Sequence, residues 1–193
     1  MKIAYQHILS FLEDKPDIED LSSKLFQLGH EHEIENSIFD LEFTPNRGDC
    51  LSVRGLIRDL NVFYQTNIDI KTYKDDLPFL DLNFINQEPD ACPQISFLNI
   101  EIKGNVSEYK NYLSDYFKDF KLNKNNFFAD VSNYVAYEIG QPTHCYDFSS
   151  IAKEITLTVN GNDSKFTTLL NNNIDLSGSD LIFTSEEKII NLA

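Results

Sequence analysis

Apolar residues near the start of the chain keep a helical rhythm. Ile18, Leu21, Leu25 and Leu28 recur at helical spacing behind Pro16 and Asp17, and Gly29 follows the last of them. The pattern predicts a helix that Pro16 and Asp17 start and Gly29 caps. Ahead of it, Met1 to Leu12 places apolar side chains at Ile3, Ile8, Leu9, Phe11 and Leu12. Residues 34–44, IENSIFDLEFT, alternate as a strand ending at Pro45. Asp49 is then a natural N-cap for a second helix from about Cys50 to Tyr64, with Val53, Leu56, Ile57, Leu60 and Phe63 as its buried stripe. Arg54 and Arg58 fall one turn apart on one side of it.

Residues 67–78, NIDIKTYKDDLP, are polar and turn-rich, and they mark the best boundary between two domains, 1–76 and 77–193. Beyond it ISFLNIEIKG alternates as a strand. SEYKNYLSDYFKDF suits a helix faced by Tyr109, Tyr112, Leu113, Tyr116, Phe117 and Phe120, which reads first as core. FFADVSNYVAYEIGQPTHCYDFSSI runs from an apolar segment into a helix ending at Gly140. The tail alternates through EITLTVNG, SKFTTLL and DLIFT, with turn chemistry at Asn160–Gly161 and Ser177–Gly178, so consecutive strands are expected.

Composition narrows the function. Thirty-one acidic residues against sixteen basic ones give a net charge of -15, so the long-range field repels polyanions and any RNA contact is local or made with a partner's help. Cys50, Cys92 and Cys145 are odd in number, scattered and without a CxxC pair. That usage fits reduced cytosolic thiols, with neither a disulfide frame nor a metal site. The opening MKIAYQHILSFLEDKPD lacks the uninterrupted apolar stretch of a signal peptide, and no window approaches a membrane span; a cytoplasmic protein without membrane contact is expected. No P-loop or Gly-rich phosphate cradle is present, so no nucleotide cofactor is expected in this chain itself.

Two stretches carry candidate chemistry. Arg47, Arg54 and Arg58 are the chain's only arginines, and they follow directly on a stiff Thr-Pro-Asn corner. Arg47 there either forms a structural ion pair with Asp40, Glu42 or Asp49, or contacts a phosphate or a neighbouring subunit. Arg54 and Arg58 either pair with Asp59 and inter-domain acids or join that interface. In the second stretch, Asp130 and Asn133 lie near a helix start, and Glu138 falls late in the helix, where the dipole disfavours it unless it has a partner. Gly140 and Pro142 then hold His144 out from the helix C-terminus. A lone histidine is either a packed, hydrogen-bonded residue or a catalyst. Cys145 beside it is a poor nucleophile partner, since adjacent side chains diverge.

FTPNRGDCLSVRGLIRDL and DVSNYVAYEIGQPTHCYD, in this order, resemble the TPNR-D-LS--G--RDL and D-TNYV--E-GQP-HAFD segments of the bacterial phenylalanine-tRNA ligase beta chain, and QLGHEHEIE resembles that family's LT-LG-EVE stretch. The resemblance implies an α+β fold: a small helical first domain over 1–76, then an incomplete B3/B4-like editing region over 77–193 with mostly antiparallel strands. It implies the N-terminal part of a beta subunit without its OB-fold insert, since only IENSIFDLE stands where that barrel sits. It further implies His144 as the editing residue, with Gly140, Gln141, Pro142 and Tyr146 at the substrate. The alpha subunit and tRNA(Phe) are the implied partners, tRNA binding being weak for this chain alone, and ATP with magnesium serves the whole heteromeric enzyme. The departures are Asn123 and Lys124 where the family has arginine and proline, and HCYD for HAFD through Cys145 and Tyr146. The alternatives are a freestanding B3/B4-type binding or trans-editing module and an assembly domain without editing.

Overall fold

The computed structural model describes residues 1–68, 76–160, 164–168 and 171–193. They form a mixed α+β structure of two compact units, the first from residues 1–68 and 104–145 and the second from the remainder. Most of the segment expected to link two domains, residues 69–75, lies outside the described residues, as does Gly161 of one expected turn. No helix among the described residues is long and apolar enough to cross a membrane.

The first unit opens with β1 (Lys2–Ala4) and α1 (Tyr5–Ser10), followed by α2 (Ile18–Gln27). Asp17 caps α2 by accepting the Asp20 N–H at 2.8 Å, and Gly29 leaves it at φ +83°. That helix was legible from its spacing and both ends. Next come β2 (Glu31–Glu35) and β3 (Ile38–Glu42), which with β1 make an antiparallel sheet of order β1-β3-β2. The single strand expected over 34–44 is therefore the end of β2, a turn and β3. Asn36 and Ser37 both take positive φ, the two-residue geometry that matches strand twist. Ile3 and Phe39, paired across the sheet, are fully buried with Ile8, Leu21, Leu25 and the inner face of α3 (Val53–Leu60).

The start of α3 also corrects the sequence reading. Ser52, not Asp49, is its N-cap: Ser52 Oγ accepts the Gly55 N–H at 3.1 Å, and Gly48–Cys50 form a separate 3-10 turn. Asp49 is drawn instead into ion pairs described below. The chain doubles back so tightly that a Cβ on Gly55 would stand 1.9 Å from the Asp49 carbonyl oxygen. Phe63 is 36% exposed, under Lys24, and Tyr64 takes the buried place, donating to Asp20 at 2.8 Å. Two later helices complete the unit, α4 (Asn111–Asp119), which buries Leu113 and Phe117, and α5 (Phe127–Ile139).

The second unit contains β4 (Asn83–Asn86), β5 (Glu154–Val159), β6 (Ser164–Thr167), β7 (Asn173–Leu176), β8 (Leu181–Ser185) and β9 (Lys188–Leu192). Its main sheet has order β4-β5-β8-β9, antiparallel except for the β4–β5 pair; β6 and β7 form a separate antiparallel pair. Ile155, Leu157 and Phe183 form the core, flanked by Phe84 and Phe97. The expected turn at Ser177–Gly178 is present, with the Asp180 N–H donating to Ser177 O at 3.3 Å. ISFLNIEIKG, residues 95–104, is not a strand. Leu98 and Ile100 are more than half exposed. Alternation suits a strand only where another strand supplies the ladder, and β4 takes that place beside β5.

Candidate functional site

The Thr44–Arg47 corner closes by donation of the Arg47 N–H to Thr44 O at 2.9 Å, and the side chain then meets acids from the 3-10 turn and α3. Arg47 Nε lies 3.1 Å from Asp49 Oδ1, and its Nη2 lies 2.5 Å from Asp59 Oδ2 and 2.8 Å from Cys50 Sγ. Arg58 pairs with Asp49 and stands 3.7 Å from Asp59. Buried His30 approaches the same Asp59 oxygen at 3.1 Å. Of the three acids offered to Arg47 by the sequence, Asp49 is the partner found; Asp40 instead faces Lys2 and the Met1 amine.

The charges follow from this packing. The Arg47 hydrogen bond holds Asp49 down to about 2. Burial works to raise the Asp59 carboxyl, but hydrogen bonds from Arg47, Cys50 and His30 prevail and leave it below the usual carboxylate range. Burial and the Asp59 charge push the Cys50 thiol up to about 12. His30, Cys50 and Asp59 place a nitrogen, a sulfur and an oxygen within 4.8 Å of one another, a donor set a metal could use. Cys50 and Asp59 already share the guanidinium of Arg47, and a metal would have to displace it and ionise a strongly protonated thiol.

The second stretch is built around α5. Asn126 caps it by accepting the Ala129 N–H at 3.0 Å, while Asp130 is fully buried, accepting from Tyr109 Oη at 2.6 Å and the Asn125 N–H. Glu138 has the partners its helix position demands: His7 Nε2 at 3.1 Å and Tyr134 Oη at 3.2 Å. Gly140 ends the helix at φ +77°, where a Cβ would press on Ser52 Cβ at 3.2 Å. Ser132 Oγ then ties down the exit, 2.5 Å from Thr143 O and 2.8 Å from Thr143 Oγ1.

Gln141, Pro142 and His144 are exposed on this tied-down exit, and no hydrogen bond engages the His144 ring among the described residues. Cys145 Sγ faces Phe128 O at 3.9 Å and makes no contact of hydrogen-bond length with His144. Tyr146 belongs to the second unit, where burial raises its phenol pKa.

Arg54 stands apart from the other arginines. It lines an open cleft of about 700 Å³ in the first unit, bounded by α1, α3, α4 and α5, together with His7, Tyr116, Tyr134, Tyr137 and Glu138. Tyr116 and Tyr137 lie 4.9 Å apart between ring centroids, Tyr116 and Tyr134 5.5 Å, and His7 stacks on Tyr137 at 6.0 Å. Burial, then Glu138, raises the phenols of Tyr134 and Tyr137, which stay protonated donors at neutral pH. Sequence reasoning missed this cleft. Its one local signal was Glu138, a carboxylate late in a helix that required a cation.

A family model described as "B3/4 domain" matches residues 91–193. Among similar proteins, the phenylalanine–tRNA ligase beta subunit of Psychrobacter arcticus is 28% identical over 168 residues, covering 83% of this chain and 20% of its own length. Those of Carboxydothermus hydrogenoformans, 29% identical over 167 residues, and Fusobacterium nucleatum, 27% over 165, have the same coverage. The chain thus spans about a fifth of the length of the curated relatives it matches. A crystal structure of an N-terminal fragment of the phenylalanyl-tRNA synthetase beta subunit from Pyrococcus horikoshii aligns with all of this chain and 60% of its own, at 13% identity and a TM-score of 0.46.

Proposed function

Because this chain belongs to the B3/4 domain family, we propose that it serves phenylalanyl-tRNA synthesis as part of a phenylalanine-tRNA ligase beta subunit. The observation that carries the reading is the coincidence of that family match with relatives of one name, each covering 83% of the chain. In this reading the chain scaffolds the alpha subunit in the cytoplasm, and residues 77–193 form the editing region that hydrolyses Tyr-tRNA(Phe). ATP and magnesium are used by the whole heteromeric enzyme.

His144 is the proposed editing residue, with Gly140, Gln141, Pro142 and Tyr146 at the substrate. The left-handed cap at Gly140, the proline and the Ser132–Thr143 hydrogen bonds restrain the backbone that carries the imidazole, which supports this reading. There it can hydrogen-bond an ester oxygen or orient water. Arg58, more than half exposed, is suited to a subunit or RNA contact, while Arg47 supports it through shared carboxylates. Free tRNA binds this acidic chain weakly, through phosphate contacts that fall steeply with salt.

The test uses a complete beta subunit carrying this sequence, assembled with its alpha partner. The complex hydrolyses Tyr-tRNA(Phe), and His144→Ala slows that step by about a hundredfold while phenylalanine activation is kept. Equal rates for the two proteins overturn the catalytic role. The replacement of HAFD by HCYD favours one second reading, an assembly domain without editing; absence of hydrolysis in the unmutated complex selects it.

A further inference from the structure

We propose that the cleft between α1, α3, α4 and α5 binds a small organic cation with an alkylated ammonium head, held against tyrosine faces and balanced by the carboxylates that line the cleft. The cleft lies within the first unit, apart from the His144 exit, and the proposal does not depend on the editing reading.

The lining is written in two helical stripes. On α4, Tyr112, Asp115, Tyr116 and Asp119 recur at intervals of three and four residues, and on α5 Tyr134, Tyr137 and Glu138 do the same. Residues so spaced share one face, so each helix brings rings and acids to the cleft together. The rings stand at steep angles: the planes of Tyr116 and Tyr134 meet at 81°, and those of Phe120 and Tyr137 at 73°. Walls turned in this way present aromatic faces from more than one side, and the negative face of a ring is what attracts a cation.

The charges point the same way. Asp115 and Asp119 have no basic side chain within 4.0 Å, and no Lys or Arg stands over a ring of the cleft, among the described residues. Three carboxylates face one arginine there, and His7 answers only Glu138. A bare metal ion is disfavoured, because these acids and His7 do not bring three ligand atoms together; among the described residues only His30, Cys50 and Asp59 do so. A primary ammonium is strongly hydrated and asks for several converging acceptors, which the cleft lacks for the same reason. An alkylated ammonium needs no acceptor and is held by ring faces and the field of the acids. A volume of about 700 Å³ admits it with a short tail.

The probes are choline and 3,3-dimethylbutan-1-ol, its uncharged isostere, titrated into the full chain at fixed ionic strength and followed by proton NMR. Choline binds with millimolar affinity and its N-methyl resonance moves upfield, the mark of protons lying over ring faces, whereas the alcohol binds about tenfold more weakly. Tyr116→Leu keeps an apolar wall but removes a ring face, and Asp119→Asn removes one charge with little change of shape. Each weakens choline by about three- to tenfold and leaves the alcohol as it was. Should Tyr116→Leu fail to fold, Asp119→Asn still decides the comparison. Equal affinity for choline and the alcohol overturns the proposal. So does choline binding without an upfield shift, which shows that the net charge of -15 merely collects cations. Displacement of choline by equimolar magnesium overturns it as well, since the carboxylates then act as a metal site.

Discussion

Gly55→Ala provides a direct test of how the arginine corner is held. A methyl group at this position meets the Asp49 carbonyl oxygen at 1.9 Å and its carbon at 2.9 Å, both backbone atoms that cannot swing away. Relief requires roughly 1–1.5 Å of displacement to restore ordinary non-bonded contact. Overpacking against backbone costs about 3 kcal/mol at the upper end of its usual range. Alanine's helix propensity returns about 1 kcal/mol. The net loss is about 2 kcal/mol, which lowers the midpoint of thermal unfolding by about 4–8 °C in a chain of this size. Gly48→Ala is the control: nothing lies within 4 Å of its Cβ position, and its φ is not left-handed. That variant is neutral or stabilised by up to about 1 kcal/mol through the unfolded chain. Calorimetry of both variants decides the matter. An unchanged or raised midpoint for Gly55→Ala, or identical behaviour of the two, refutes the close approach of the 3-10 turn to α3.

Two further predictions concern the carboxylates. Asp59→Asn removes the negative charge opposite Arg47 and puts an amide NH2 where an acceptor oxygen stood, lowering stability by about 1–3 kcal/mol, measured by urea unfolding. The pH dependence has a defined sign. Asp49 titrates at about 2 and Asp59 below the usual range, whereas both titrate near 3.9 when unfolded. The unfolded chain therefore takes up protons first as pH falls, so stability present above about pH 4 is lost on the way to pH 2. Urea midpoints at successive pH values show this decline, and Asp59→Asn makes it shallower; a flat profile contradicts it.

The parts legible in the sequence were those whose physics is local. The α2 helix was readable because Asp17, the spacing of Leu21 and Leu25, and Gly29 agree. The end of α5 was readable from Gly140 for the same reason. The β2–β3 hairpin was missed because Asn36–Ser37 lacks the glycine that usually marks such a turn, and because EHEIE shows little apolar content. Residues 95–104 misled because alternation describes faces and says nothing about whether another strand is available. At the candidate site, the spacing of Arg54 and Arg58 correctly suggested one helix, yet the two have opposite surroundings. Arg58 meets acids a few residues away in sequence, whereas Arg54 faces tyrosines contributed by α4 and α5 from much later in the chain. No local pattern encodes that meeting.

The contact between His7 and Glu138 has a consequence for synthesis on the ribosome. Its partners are 131 residues apart, and α5 belongs to the same unit as the first strand of the protein. At a translation rate of about 5–20 residues per second, α1 waits on the order of ten seconds for its counterpart to be made. During that interval the first sheet and α2 can close, since their contacts are short-range in sequence, but the face that α4 and α5 later cover is open to solvent and to chaperones. Translation pauses placed before codon 145 therefore prolong a half-built state, while pauses placed well beyond it, once α5 has left the ribosome, act on a first unit already complete.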